Sequence, residues 1–126
     1  MLDHLNLPVG NLTRSTAFYE KVLAPIGMRV IAQEEDAVGF GDSTWVFGLV
    51  DDKVRPVPMH LAFAAATRNQ VHAFYTEAIN AGGVDNGAPG VRAEYGTHYY
   101  AAYVLDPDGH NIEVVCRQAD SLDMAD

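Results

Sequence analysis

Residues 4–28 read HLNLPVGNLTRSTAFYEKVLAPIGM, and residues 60–84 read HLAFAAATRNQVHAFYTEAINAGGV. A gapless shift of 56 lays His4-Leu5 on His60-Leu61, Ala17-Phe18-Tyr19 on Ala73-Phe74-Tyr75, and Gly27 on Gly83. A chain that states one pattern twice predicts two related modules, and modules packed about a pseudo-two-fold axis can bring equivalent side chains together. The repeated histidine then reads as half of a metal site rather than as surface decoration.

Working outward, residues 2–8 alternate as a strand, and Asn11 is placed to cap a helix over 12–23 whose apolar face is Leu12, Phe18, Tyr19, Val22 and Leu23. Pro25 and Gly27 end that helix. Apolar segments at 28–33, 37–40 and 44–50 predict three strands, with Gly41-Asp42-Ser43 turning the second into the third. The polar stretch 51–58, with two prolines, suits a linker. Residues 59–65 then predict a strand, and Thr67-Arg68-Asn69-Gln70 has the capping-box spacing that opens a helix, which Gly82-Gly83 stops. Residues 85–98 predict a strand and a long loop, and Asp106-Pro107-Asp108-Gly109 turns a strand over 99–105 into one over 110–116. The expectation is an α+β fold in one domain over 1–126. Module 1 (about 1–52) and module 2 (about 58–117) are each βαβββ, and a mobile tail occupies 118–126.

Side chains alternate across a strand, so His4 and Asn6 share one face while Leu5 and Leu7 face a helix. By the same rule His60 and Ala62 oppose Leu61 and Phe63, and Asn111, Glu113 and Val115 oppose Ile112, Val114 and Cys116. A three-residue turn with Gly109 left-handed pairs Asp106 with His110 and sets Tyr103 opposite Glu113, so that Tyr99 and Tyr103 share the ligand face. Transferring that register to the first half puts Phe47 at the position equivalent to Glu113, with Trp45 two residues before it. His4, His60 and Glu113 remain as candidate ligands, and Trp45 and Phe47 as an aromatic wall.

Composition narrows the partners. Eight basic against seventeen acidic residues, a formal charge of −9, disfavour nucleic acid and anionic membranes. No apolar run approaches the ~18 residues of a membrane span and no signal-peptide core opens the chain, which predicts a soluble cytoplasmic protein. The single Cys116 has no partner for a disulfide or a thiol redox pair. His72 falls in a helix and His110 follows the turn, and neither receives a role.

The pattern resembles the vicinal oxygen chelate superfamily, which includes glyoxalase I, extradiol dioxygenases and the fosfomycin and bleomycin resistance proteins. The resemblance is carried by Asp3-His4-Leu5, Ser15-x-Ala17-Phe18-Tyr19, Met59-His60-Leu61 and Asp106-Pro107-Asp108-Gly109-x-Asn111-Ile112-Glu113. It implies paired βαβββ modules whose mixed sheets form a cup around a divalent metal (Fe, Mn, Ni or Zn), with helices outside and His4, His60 and Glu113 as ligands. It also implies a homodimer, with the cup built either within one chain or by exchange of modules. A His, His, Glu set resembles the extradiol dioxygenases, and Tyr103 matches a tyrosine near their metal. Glu94 stands where those enzymes carry an acid/base histidine, and His98 in the adjoining loop is the candidate to substitute for it.

These features lead to an expected metal-dependent enzyme, a lyase, an isomerase or a ring-cleaving dioxygenase, that binds vicinal oxygens of a small substrate and stabilises an enolate or oxyanion. Tyr103, His98 and Glu113 are its candidate catalytic groups, and Trp45, Phe47, Arg92 and Tyr99 its substrate contacts. Few arginines in an acidic chain favour a neutral or weakly acidic substrate over a glutathione conjugate. The rival expectation is a metal-free protein that sequesters a drug or metabolite, as bleomycin resistance relatives do.

Overall fold

A computed structural model describes residues 1–54 and 56–119. Its strands are β1 (Leu5–Val9), β2 (Arg29–Gln33), β3 (Ala37–Gly41), β4 (Phe47–Asp51), β5 (His60–Ala65), β6 (Val84–Val91), β7 (Tyr100–Leu105) and β8 (Asn111–Cys116), and its helices α1 (Leu12–Leu23) and α2 (Arg68–Asn80). They form two four-stranded mixed sheets of identical topology, β1-β4-β3-β2 and β5-β8-β7-β6, in which β1 and β5 are outer strands. The βαβββ repeat is therefore present twice. Residues 120–126, most of the tail expected from 118 onward, lie outside the described residues.

Local chemistry fixes the helix ends. Asn11 is extended, and its side chain accepts the Arg14 N–H at 3.0 Å. Thr67 and Gln70 close the expected capping box, satisfying N–H groups that a first helical turn leaves unpaired. A short 3-10 turn at Ala24–Ile26 ends α1, and Gly27 leaves it at φ 87°, a left-handed position that glycine adopts without strain.

The core joins the modules. Phe18, Tyr19, Val22 and Leu23 of α1 and Val71, Phe74 and Ala78 of α2 are buried with Leu7, Leu49, Ile112 and Val114 of the sheets. The helices pack on each other, and the Phe47 and Phe63 rings meet edge to face at 5.1 Å across the module junction. Phe47 is thus 1 % exposed in the core, not on a pocket wall. The cause is a register one residue away from the expected one: Leu5 pairs with Phe47 and Asn6 with Gly48, whereas Leu61 pairs with Ile112 and Ala62 with Glu113. Gly48 is accordingly the first-module counterpart of Glu113. A one-residue slip exchanges the faces of a strand.

The Asp106-Pro107-Asp108-Gly109 turn has a second role as a latch between modules. The Asp108 carboxylate accepts the Gly10 N–H at 3.2 Å, the Ser15 hydroxyl at 3.4 Å and an Arg14 N–H at 3.3 Å. Asp106 accepts the Tyr19 hydroxyl at 2.5 Å and the N–H groups of Asp108 and His110 at 2.9 and 2.8 Å. His110, fully buried, accepts the Met59 N–H on Nδ1 at 2.9 Å, so its proton resides on Nε2, which donates to the Pro8 carbonyl at 3.1 Å. Among the described residues no helix is long and apolar enough to cross a membrane.

Candidate metal centre

The parallel pairing of β5 with β8 sets His60 beside Asn111 and Ala62 beside Glu113, and the antiparallel pairing of β8 with β7 sets Glu113 opposite Tyr103 as the turn predicts. Period-two alternation then projects His60, Asn111, Glu113 and Tyr103 from one face of the second sheet. With Tyr95, Tyr99 and Arg117 they line a cavity of about 630 Å³.

His60 Nε2 lies 3.0 Å from Glu113 Oε1. Its Nδ1 is 3.1 Å from the Asn111 carbonyl oxygen, which only accepts, so the imidazole proton belongs on Nδ1. The Nε2 lone pair therefore faces a carboxylate lone pair, an arrangement that calls for a proton or a cation between them. A backbone carbonyl that fixes the histidine tautomer is the usual support of a metal-binding imidazole. The nitrogen and oxygen donors suit a borderline divalent ion.

Glu113 is 2 % exposed, and its Oε2 accepts a short hydrogen bond from the Tyr99 hydroxyl. Burial first, then the Glu113 hydrogen bond and charge, push the Tyr99 phenol well above its ordinary range. Burial followed by the Glu113 charge raises Tyr103 as well, and its ring stacks on His60 with centroids 6.2 Å apart. Both phenols hold their protons at neutral pH and serve as donors.

The expected ligand set is not assembled within the chain. His4 lies on the first module in a separate concavity with Asp3, Asn6, Thr44 and Trp45. Its Nδ1 donates to Asp3 Oδ1 at 2.8 Å, which leaves Nε2 free, the same tautomer as His60. Among the described residues, the one group of three or more metal-ligating side chains with donor atoms within 4.8 Å of one another is Asp106, Asp108 and His110. Those atoms are already engaged in the latch, so that group reads as structural.

The remaining sequence candidates divide. Trp45 lies on the ligand face of the first sheet: its indole donates to Asn6 Oδ1 at 2.9 Å, and a Cβ at Gly39 or Gly48 would meet its ring at 2.3 or 2.5 Å. Trp45 and Asn6 thus fill the space that any side chain at position 48, the counterpart of Glu113, would need. His98 is exposed in a turn and does not line the cavity. Arg92 is half-buried, with its guanidinium carbon 5.3 Å from the Tyr103 ring centre. The sequence reading missed Arg117 and Tyr95. The first continues the Glu113, Val115 alternation one step past β8 and was open to detection, whereas the second lies in a 3-10 turn with no periodic signal.

The comparisons with known proteins agree with this fold. The family model described as Glyoxalase/Bleomycin resistance protein/Dioxygenase superfamily matches residues 1–114. The metallothiol transferase FosB of Shouchella clausii is 29% identical over 119 residues, covering 90% of this chain and 77% of that protein. A glyoxalase/bleomycin resistance protein from Albidiferax ferrireducens has a structure similar to this one at a TM-score of 0.77, with 28% identity over 92% of this chain and 98% of that one. A lactoylglutathione lyase from Agrobacterium tumefaciens shares the fold at a TM-score of 0.67 with 18% identity, covering 92% of each chain. The repeat, the twin sheets and the family match together place this chain in the glyoxalase/bleomycin resistance protein/dioxygenase superfamily.

Proposed function

We propose that the protein is a divalent-metal-dependent enzyme of the lyase, isomerase or dioxygenase type. It acts in the cytoplasm on a small substrate that presents adjacent oxygens. The observation that carries this reading is the 3.0 Å approach of His60 Nε2 to Glu113 Oε1, with the imidazole proton committed to the Asn111 carbonyl. His60 and Glu113 are two of the ligands. The third, His4, is supplied by a second copy of the chain, so that the working unit is a homodimer. Support for the dimer comes from β1 and β5, which are outer strands, and from β5, whose residues His60, Ala62 and Ala64 are exposed and Leu61 and Phe63 only half-buried. A relative named metallothiol transferase supports the metal.

Bound there, the ion would act as a Lewis acid toward substrate oxygens and stabilise developing negative charge. The chain's own residues supply the rest. Tyr99 holds the far oxygen of Glu113, Tyr103 presents a protonated phenol beside His60, and with Tyr95 they give the cavity an aromatic side. His98, exposed on its turn, carries no step in this scheme. The test is calorimetric titration of the chelator-treated protein with Fe(II), Mn(II), Ni(II) and Zn(II). The natural chain binds at least one of these, and Glu113→Gln loses more than about 100-fold in affinity, beyond the 10–100-fold of an outer-shell change, with its thermal melt intact. Failure of every ion to bind would favour the metal-free binding protein.

A further inference from the structure

The chain carries seventeen acidic and eight basic residues, so a pair of cations gathered beside one cavity stands out in it. Arg14 pairs with Asp108 and Lys53 with Asp36. Arg92 and Arg117, like Lys21 and Arg29, pair with no carboxylate among the described residues, but these two stand at the candidate metal centre's cavity, Arg117 in its lining and Arg92 beside it against Tyr103. Arg117 lines the cavity with its guanidinium carbon 4.8 Å from the Tyr99 ring centre, and Arg92 covers the Tyr103 ring.

Arg92 is seated rather than dangling. Its Nη2 donates to the Ala88 carbonyl at 2.7 Å, and its backbone N–H donates to the Tyr99 carbonyl at 2.7 Å. Two glycines of β6 make room for the head group: a Cβ at Gly90 would stand 2.9 Å from Nη1, and one at Gly87 3.2 Å from Nη2. A guanidinium has five N–H donors, so the bond to Ala88 leaves most of them unspent.

We propose that the substrate of this site is a small organic anion. Arg92 and Arg117 bind its acidic group, and Tyr95, Tyr99 and Tyr103 bind its apolar or planar body. A planar guanidinium matches a carboxylate through two parallel charge-assisted hydrogen bonds, which makes a carboxylate the preferred head group and a phosphonate the alternative. The proposal rests on the cavity assigned under Proposed function but does not require the metal.

The experiment measures binding by NMR titration to two metal-stripped proteins, the natural chain and Glu113→Gln, which lacks the floor carboxylate. The probes are matched pairs differing in charge: acetate with acetamide, phenylacetate with phenylacetamide, and methylphosphonate with its dimethyl ester. The anion of at least one pair binds about tenfold or more tightly than its neutral partner, and the double variant Arg92→Met/Arg117→Met, which keeps both side-chain stems, reduces that preference to less than about twofold. A larger advantage for methylphosphonate than for phenylacetate identifies the phosphonate as the head group. Absence of charge preference in every pair, or a preference that persists in the double variant, overturns the proposal. Either result leaves the metal titration of Glu113→Gln untouched, so the two readings fail separately.

Discussion

A carboxylate as buried as Glu113 is costly unless each oxygen is engaged. Oε1 faces His60 Nε2 and Oε2 accepts from Tyr99, an arrangement that turns one oxygen toward the proposed ion and fixes the other. Tyr99→Phe deletes this single hydrogen bond and keeps the ring on which Arg117 rests. Metal affinity measured by calorimetry should fall about 10–100-fold, as for other outer-shell partners of ligands, with little change in melting temperature. An unchanged affinity would mean that Tyr99 does not orient Glu113.

Among the elements, the second hairpin was legible in the sequence and the first was not. A three-residue turn with Gly109 at φ 86° admits one register, so the sequence alone sets Tyr103 against Glu113. Between β3 and β4 the connection runs from 42 to 46, five residues with no fixed turn geometry, and the real register differs by one. Phe47 therefore belongs to the core with Tyr19, Phe40 and Phe63. Phe47→Ala should cost about 3–5 kcal/mol in a denaturant titration while leaving metal affinity unchanged; a loss of metal or ligand binding at full stability would restore Phe47 to the pocket. The latch was invisible for another reason: a motif that reads as a turn says nothing about which distant N–H and O–H groups its carboxylates will collect.

The latch makes the two modules one molecule, and its titration should be measurable. Burial raises the Asp106 carboxyl, against the lowering effect of the Tyr19 hydroxyl and the His110 and Asp108 N–H groups. An acid with a raised folded value holds its proton more tightly folded than unfolded. Its contribution to stability is thus full below the ordinary carboxylate range and is lost as the pH rises through the folded value. Relative to Asp106→Asn, which cannot titrate there, the natural chain should lose stability with rising pH across that window. Thermal melts of both proteins over a pH series check this, and parallel curves would contradict it.

At the scale of the whole molecule, the repeat told that His4 and His60 are equivalent but not that they meet. Equivalence about a pseudo-two-fold axis is satisfied equally by two modules of one chain or by modules of two chains. The separate concavity that holds His4 favours the second. The most direct test is metal binding by a mixture of His4→Ala and Glu113→Gln chains, each defective alone, after unfolding and refolding together. If a second copy supplies His4, the mixed dimer regains one tight site, built from His4 of the Glu113→Gln chain and His60 and Glu113 of the His4→Ala chain. No recovery on mixing, or natural affinity in His4→Ala alone, would contradict the account.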